Sequence, residues 1–283
     1  MQEVQLDQGT IGYTDSGTGE PIVFLHGALV NGQLWRKVVA ELQPDFRCIV
    51  PELPLGSHAI PMRPDADLSL PGLARIVADF MAALDLSGVT LVGNDTGGAI
   101  AQRVATDHPD RLARLVLTPC DAYEHFFPPL FRYLQLVARL PGAASVLAQT
   151  MRLRPLQRAP IAYGWLVKRQ DDEVVRGWVE PIRRDKGVRR DAVKLLRSID
   201  KRYTLEAAEK LRGFDRPALV IWSEDERVFP KGDADRLVAA LPNARLEWVP
   251  DSYTFMSEDQ PHRLAELIAG FIRERATAPP VSA

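Results

Sequence analysis

One aspartate stands at a turn between a buried strand and a helix. The stretch LVGNDTGGAIAQ, from Leu91 to Gln102, begins as an apolar run, turns at small residues and continues as a helix. Asp95 occupies the apex, and Gly93 and Gly97 let the strand and the helix approach closely while the apical side chain stays accessible. The amides that open the helix favour an anion there. Such a carboxylate can attack an electrophile or hold a proton; the alternative is that it only caps the helix.

The elements around this turn alternate between strands and helices. Apolar runs predict the strands, and apolar residues at helical spacing predict the helices between them. The predicted strands are residues 21–27, 47–54, 89–93, 111–118, 217–222 and 245–250, and the predicted helices include residues 34–42, 73–86 and 97–108. Continuous apolar strands between amphipathic helices indicate an α/β fold with a mostly parallel, twisted sheet that is flanked by helices.

After Thr118 the pattern changes to helices alone. Residues 121–212 contain helical stretches separated by Pro and Gly, and they contain no strand pattern. We therefore predict a core of residues 1–120 and 213–275, an inserted helical cap of residues 121–212 and a flexible tail of residues 276–283. A cap inserted at this point covers the carboxyl ends of the parallel strands, where open α/β sheets bind ligands.

Composition and charge narrow the classes of partner. A chain of 283 residues with 46% hydrophobic and 25% charged residues is typical of a globular protein. Its formal charge of −2 gives no reason to expect nucleic acid or a membrane surface as a partner. Cys48 and Cys120 lack metal-ligand spacing, and we see neither a signal peptide nor a membrane span. We expect a cytoplasmic protein, monomeric or homodimeric, that binds a small molecule.

Four motifs along the chain resemble those of the α/β-hydrolase superfamily. Within it, the chain is most similar to the branch with an aspartate nucleophile, which includes haloalkane dehalogenases and epoxide hydrolases. FLHG resembles the oxyanion loop, GNDTGG the nucleophile turn, VIWSEDERVFP the acid loop and PDSYTFMSEDQP the loop of the catalytic histidine. The motifs occur in the family's order across almost the whole chain, with a helical insertion in the usual place.

The resemblance implies a role for each matched position. Asp95 stands at the position of the nucleophile, which forms an alkyl-enzyme ester. The backbone amides of Ala28 and Thr96 would form the oxyanion site. Dehalogenases and epoxide hydrolases usually have Trp directly after the nucleophile, where this chain has Thr96. The catalytic acid falls best on Glu226, with Asp121 as the alternative position.

The acid loop leaves further alternatives open. Counting back from Pro230 places the acid on Glu226, and Asp225 lies one residue away. Both carboxylates could instead belong to a solvated acidic loop that has no catalytic role.

The position of the catalytic histidine is occupied by Thr254. No shift by one residue supplies an imidazole, because the nearest alternatives are Tyr253 and Met256. Loss of a general base slows a reaction by a factor of about 10² to 10⁴. The candidates for a substitute base are His125 at the root of the cap, His58 after the end of a strand, and water bound to Tyr253.

Several aromatic and loop residues are candidates to line the pocket beneath the cap. They are His26, Tyr123, Phe126, Trp165 and Phe255. Tyr123, Tyr133 and Tyr163 could also be the ring-opening tyrosines that a likeness to epoxide hydrolases implies, and Trp178 could form part of the cavity wall. Aromatic residues at helical spacing are more often packing residues. We expect His26 to be a structural residue of its loop rather than a base.

Three functions are compatible with the sequence. The first is a hydrolase for a small, uncharged, largely apolar molecule, with Asp95 as nucleophile and an unconventional or missing base. The second is an isomerase, lyase or cyclase in which Asp95 transfers a proton, since a carboxyl group under an apolar cap can have a raised pKa. The third is a binding protein without catalysis. Neither a cofactor nor a metal is implied, because the sequence has no ligand cluster and no phosphate loop.

Overall fold

Eight strands in the described part of the chain form a single sheet. The computed structural model describes residues 1–276. The strands are Gln2–Leu6 (β1), Gly9–Ser16 (β2), Pro21–Leu25 (β3), Arg47–Pro51 (β4), Val89–Asp95 (β5), Leu112–Cys120 (β6), Ala218–Ser223 (β7) and Ala244–Val249 (β8). Their order across the sheet is β1-β2-β4-β3-β5-β6-β7-β8. β2 pairs antiparallel with β1 and β4, and all other pairs are parallel, which confirms the predicted mostly parallel sheet.

The helices of residues 1–276 connect and cover these strands. They are Arg36–Leu42 (α1), Leu70–Ala83 (α2), Thr96–Asp107 (α3), Arg132–Arg139 (α4), Ala143–Thr150 (α5), Arg154–Gln157 (α6), Asp172–Arg184 (α7), Lys186–Ser198 (α8), Arg202–Lys210 (α9), Lys231–Ala240 (α10), Met256–Asp259 (α11) and Pro261–Ala276 (α12). α1 packs on α12, and α2 packs on α3. Within these residues, no helix combines the length and the apolar character that crossing a bilayer requires.

The chain between β6 and β7 is helical. It contains α4 to α9 and short turns such as Tyr123–His125 and Pro160–Gly164, and its described residues include no strand. α8 packs on α4 and α7, and α5 packs on α4, α7 and α8. We call this segment the cap, with the predicted bounds of residues 121–212. Of the predicted tail, Ala276 is the last residue of α12, and residues 277–283 lie outside the described part.

The centre of the sheet leads directly into the functional turn. All seven residues of β5 are buried, as expected for a central strand that is covered on both faces. β5 ends at Asp95 and α3 begins at Thr96, so no loop residue separates the strand from the helix. The carboxyl end of β5 therefore presents Asp95 towards the side of the sheet on which the cap lies.

Candidate active site

Asp95 has a backbone conformation that few residues adopt. Its φ of 55° and ψ of −131° lie in the sterically restricted half of the φ/ψ map. Small neighbours make this turn possible. A Cβ atom on Gly97 would lie 2.4 Å from the carbonyl oxygen of Leu25, and one on Gly98 would lie 2.3 Å from Cβ of Cys120. The GNDTGG sequence thus lets the start of α3 approach both β3 and β6.

Two backbone amides hold one oxygen of the Asp95 carboxylate. Oδ1 accepts a short hydrogen bond from the amide of Thr96 and a 3.3 Å hydrogen bond from the amide of Ala28, in the loop after β3. Neither amide binds Oδ2. Because the Ala28 contact comes from a different element, Asp95 does more than cap α3. The fold therefore brings Asp95 together with both residues that were predicted for the oxyanion site.

A second buried carboxyl group, that of Asp121, lies beside Asp95. The Asp121 amide donates to the carbonyl oxygen of Asp95 over 3.4 Å, and the Thr96 hydroxyl donates to Oδ2 of Asp121 over 3.0 Å. Burial raises the pKa of Asp95 to about 6, although hydrogen bonds from Thr96 and Ala28 partly offset the shift. Burial, and then repulsion by Asp95, raises the pKa of Asp121 well above its ordinary value.

The Glu226 carboxylate is bound by a turn of backbone amides. Its Oε1 accepts hydrogen bonds from the amides of Arg227, Val228 and Phe229 at 3.0, 2.8 and 3.2 Å. The same oxygen accepts a 2.7 Å hydrogen bond from the Thr254 hydroxyl. Burial raises the pKa of Glu226, and Oε2 is buried without a partner among the described residues. The Glu226 carboxylate is thus buried and in direct contact with the position predicted for histidine.

Asp225 has a different environment from its neighbour Glu226. Its side chain is half exposed and forms an ion pair with Lys168 of the cap. Of the two acids in this loop, the structure brings Glu226 and not Asp225 to Thr254.

Asn94 fixes the backbone of Thr254. The Asn94 side-chain amide donates to the carbonyl oxygens of Thr254 and Pro119 at 2.9 and 3.1 Å, and to the Thr118 hydroxyl at 2.9 Å. It therefore ties the ends of β5 and β6 to the loop after β8. Asn94 belongs to the motif GNDTGG, but the motif alone predicts no role for it. A polar residue that directly precedes the apical aspartate in a buried strand is the signal that could have found it.

An apolar cavity separates Asp95 from the cap. It contains about 970 Å³ of space free of protein atoms, part of which is open to solvent. The core contributes Ala28, Leu29, Asp95 and Phe229, and the other lining residues belong to the cap. Of the described residues that line the cavity, Asp95 alone carries a charge. A cavity of this kind suits a small, uncharged and largely apolar molecule.

Comparison with known families agrees with this architecture. The family described as the α/β hydrolase fold matches residues 20–261, which is most of the chain. The chain belongs to this family. Haloalkane dehalogenase 2 of Mycobacterium tuberculosis is 27% identical over 269 residues, which cover 92% of this chain and 91% of that protein. An uncharacterized hydrolase of Bacillus subtilis is 24% identical over 264 residues, which cover 90% of each protein.

Solved structures of the α/β-hydrolase family share this fold. The haloalkane dehalogenase DbeA from Bradyrhizobium elkani has a TM-score of 0.80 at 18% identity, with 98% of this chain and 99% of that chain covered. An epoxide hydrolase has a TM-score of 0.81 at 18% identity, with 97% and 98% covered. The predicted α/β-hydrolase fold is confirmed, and the chain is a family member related to haloalkane dehalogenases at low identity.

The two histidines predicted as substitute bases do not line the cavity. His58 is buried, contacts a carboxylate oxygen of Asp191 in α8 over 3.2 Å, and accepts a 3.3 Å hydrogen bond from the amide of Gly56. Nδ1 of His125 lies 2.5 Å from a carboxylate oxygen of Asp233 in α10. These partners hold both rings between the cap and the core, so the prediction that either ring faces the pocket is corrected.

Tyr253 and Thr254 also lie outside the cavity lining. The Tyr253 ring packs beneath two cations, with the Arg227 guanidinium 4.4 Å and the Lys168 ammonium 5.0 Å from its centroid. Thr254 is fully buried against Glu226. A water molecule bound to the Tyr253 hydroxyl would therefore lie outside the cavity.

His26 is enclosed in its own loop rather than exposed to the pocket. Its Nδ1–H donates to the carbonyl oxygen of Gly27, and its Nε2 accepts from the amide of Leu53, both over 2.9 Å. Burial lowers the pKa of His26 to about 4, so the ring is neutral at physiological pH. The expected structural role fits these contacts, whereas the predicted place in the cavity lining is corrected.

None of the other four predicted lining residues faces the cavity. Tyr123 packs under the Arg236 guanidinium at 3.7 Å, and Trp165 lies 6.0 Å from that of Arg227. Phe255 packs edge-on against Trp178, with ring centroids 5.7 Å apart, and thus forms the layer behind the cavity wall. Phe126 is buried beside the lining residue Phe127.

Three of the cap aromatics named from the sequence do line the cavity: Tyr133, Tyr163 and Trp178. The hydroxyl groups of Tyr133 and Tyr163 donate to the carbonyl oxygens of Ile161 and Leu29, each over 2.7 Å. Burial raises the pKa of both tyrosines. Both protons are thus engaged by backbone, and neither is free to protonate an opening epoxide in this arrangement.

Proposed function

We propose that the chain is a hydrolase that attacks an electrophilic carbon of a small, uncharged, largely apolar molecule with the Asp95 carboxylate. One observation carries the proposal: two backbone amides bind Oδ1, and the same side chain lines an apolar cavity. Because relatives include haloalkane dehalogenases, alkyl halides and epoxides are the first substrates to test.

The geometry supports ester formation through Oδ2. In this step Oδ2 forms a bond to the substrate carbon while a carbon–halogen bond, or a carbon–oxygen bond of an epoxide, breaks. The halogen leaves as halide, and an epoxide oxygen leaves as an alkoxide that takes a proton from water and releases hydroxide. Oδ1 becomes the carbonyl oxygen of the ester and keeps its hydrogen bonds from Ala28 and Thr96.

Product release requires water to attack the ester carbon of Asp95. The amides of Ala28 and Thr96 would stabilise the oxyanion that forms, but the attacking water must lose a proton to a base. Thr254 has no basic group, and no histidine lines the cavity in the described chain. We therefore expect the ester to form readily and to hydrolyse slowly, through an unconventional base or none.

A second candidate function is proton transfer by Asp95, as in an isomerase, lyase or cyclase. The observation in its favour is the burial of the Asp95 carboxyl group at an apolar cavity, which raises its pKa to about 6 and lets it gain and lose a proton near neutral pH. Such a reaction needs no base for ester hydrolysis, so the threonine at position 254 would not impair it.

The intact mass of the protein distinguishes these functions. The protein is incubated with a panel of alkyl halides and epoxides, and its mass is measured beside the variants Asp95→Asn and Asp225→Asn. Asp225 is the matched control because it is an exposed acid of a neighbouring loop. Proteolysis then locates any added alkyl group.

Each outcome assigns a function. An alkyl group on Asp95, retained in Asp225→Asn and absent in Asp95→Asn, supports the nucleophile. Consumption that depends on Asp95, adds no mass and yields an isomer or an elimination product instead of an alcohol or diol rejects the nucleophile and supports proton transfer. Binding of an apolar probe without consumption or added mass rejects both reactions and leaves a binding protein.

A further inference from the structure

Exposed apolar side chains are concentrated on one part of the cap. In the described chain eight large hydrophobic side chains are exposed, and six of them lie between residues 136 and 161. Single exposed apolar residues are normal, whereas a cluster marks an interaction surface. We call these six the apolar cap face, and they are 41% to 66% exposed: Leu136, Leu140, Val146, Leu153, Leu156 and Ile161.

The cap and the rest of the chain carry charges of opposite sign. Residues 121–212 contain 19 Lys and Arg against 11 Asp and Glu, a formal charge of +8, which leaves −10 for the other residues. Residues 125–170, which hold the apolar cap face, contain seven Lys and Arg and no Asp or Glu. The expectation that no membrane surface is a partner was derived from the net charge, which hides this asymmetry.

Basic and apolar side chains share the same depressions of the cap surface. Arg152 lines a shallow depression with Val146 and Leu153. Ser145 belongs to this depression and to a second one, so the two adjoin along α5. The second depression is lined by Leu140 and by basic residues of α8, which are Lys186, Arg189, Arg190, Lys194 and Arg197.

Three arginines on this face have no protein partner. The side chains of Arg132, Arg139 and Arg152 are exposed, and within the described chain none forms a hydrogen bond or an ion pair. Their guanidinium groups are therefore available to the oxygens of phosphate groups, which match the planar fork of donors on arginine.

We propose that the apolar cap face docks on the surface of an anionic phospholipid membrane. Helices that lie in a membrane interface bury apolar side chains at the headgroup level while Lys and Arg bind anionic headgroups. The cap supplies both contributions on one surface. The proposal concerns where the protein binds, and it does not depend on which reaction Asp95 performs.

Charge distinguishes this partner from the other two candidates. A second copy of the chain, docked through the same face, would place two caps of charge +8 against each other. Nucleic acid would neutralise the arginines but would leave the exposed leucines in water. Of these three partners, the anionic lipid surface uses the positive charge and the apolar side chains together.

The apolar cap face is continuous with the wall of the cavity. α5 lines the cavity with Ala144, Leu147 and Ala148 and exposes Val146 on its surface. Ile161 belongs to both surfaces, because it lines the cavity and is 52% exposed. An apolar molecule dissolved in the bilayer would therefore reach the cavity along the docked apolar cap face instead of through water.

Vesicle sedimentation tests the proposal. The full protein is mixed with vesicles of phosphatidylcholine alone, or of phosphatidylcholine mixed with phosphatidylglycerol, at low and high salt. The test variant is Arg152→Gln/Leu153→Ser. The matched control is Arg75→Gln/Leu205→Ser, which removes one exposed arginine from α2 and one exposed leucine from α9. Thermal unfolding verifies that both variants are folded.

The proposal predicts binding to the anionic vesicles that weakens at high salt and is absent on phosphatidylcholine. Each basic residue near such a surface contributes about fivefold to binding, so the test variant should bind about tenfold more weakly once its lost leucine is included. The control should bind like the unmodified protein.

Absence of binding to anionic vesicles overturns the proposal, as does an equal loss in both variants. Self-association that only the test variant abolishes, without vesicle binding, assigns the face to a second copy instead.

Discussion

The Thr254 hydroxyl donates a 2.7 Å hydrogen bond to Oε1 of Glu226. These are the two positions at which the family resemblance expects a histidine and its acid. The carboxylate of the predicted acid is buried, and its partner is a side chain that cannot accept a proton from water at neutral pH. On the proposed assignment Glu226 would be the acid of a hydrolase, and Thr254 supplies no base for that acid to orient.

An imidazole at position 254 should restore ester hydrolysis. We expect Thr254→His to shorten the lifetime of the Asp95 ester by a factor of about 10² to 10⁴, which is the usual contribution of a general base. The measurement is the loss of added mass with time. Thr254→Asn is the control, since it enlarges the side chain without adding a base. An unchanged ester lifetime in folded Thr254→His would show that an imidazole built on this buried position does not reach the ester.

Removal of the Thr254 hydroxyl should destabilise the fold through Glu226. Thr254→Val keeps the shape of the side chain but leaves a buried carboxylate oxygen with one donor fewer, at a cost of about 1–3 kcal/mol in the free energy of unfolding. Thr254→Ser keeps the hydroxyl and should lose less. Urea unfolding at pH 8 measures both values. Equal losses would mean that methyl packing, and not the hydrogen bond, dominates at this position.

Ester formation should depend on pH through Asp95. Only the ionised carboxylate attacks carbon, and burial raises the pKa of Asp95 to about 6. The rate at which mass is added should therefore rise between pH 5 and pH 7, with a midpoint near pH 6, and should level off above it. Quenched reactions at a series of pH values give this profile. A rate that increases as the pH falls would instead identify the protonated group as the active form.

The buried charge of Asp95 should reduce stability above pH 6. Burial raises the folded-state pKa of Asp95 from its ordinary 3.8 to about 6, so folding takes up a proton between these two pH values, and the protein gains stability as the pH falls through this range. Asp95→Asn should raise the free energy of unfolding by about 1–2 kcal/mol at pH 8 and by less at pH 5. Urea unfolding at both pH values tests this. Asp225→Asn should give no gain at either pH, because Lys168 lowers the pKa of Asp225.

The parallel part of the fold was predictable because each strand carries its own signal. β5 begins with the largely apolar run VTLV, and the small residues around Asp95 predict the turn that follows it. β1 and β2 were missed because β1 is mostly exposed and its sequence QEVQL contains little apolar character. Its place is set by pairing with β2, and that of β2 by pairing with β4, which is distant in sequence.

The site was predictable where a residue is held by its own loop. Glu226 is bound by the three amides that follow it, so counting along the motif was sufficient to predict which acid of this loop contacts Thr254. His58 and His125 were placed wrongly because their partners, Asp191 and Asp233, are distant in sequence. The orientation of a loop side chain depends on contacts with residues that are distant in sequence, and a single sequence does not reveal those contacts.

A methyl group at Gly97 should disrupt the turn that presents Asp95. Its Cβ would lie 2.4 and 2.5 Å from the carbonyl oxygens of Leu25 and His26, which are backbone atoms and cannot rotate away. We expect Gly97→Ala to lower the free energy of unfolding by about 1–3 kcal/mol and to slow ester formation. Gly270 on α12 is the matched control: an added Cβ meets nothing within 4 Å, and Gly270→Ala should raise stability by about 0.5–1 kcal/mol. If urea unfolding gives the same small change for both variants, the strand and the helix can separate at Gly97 without cost, and their close approach is not what fixes the carboxylate.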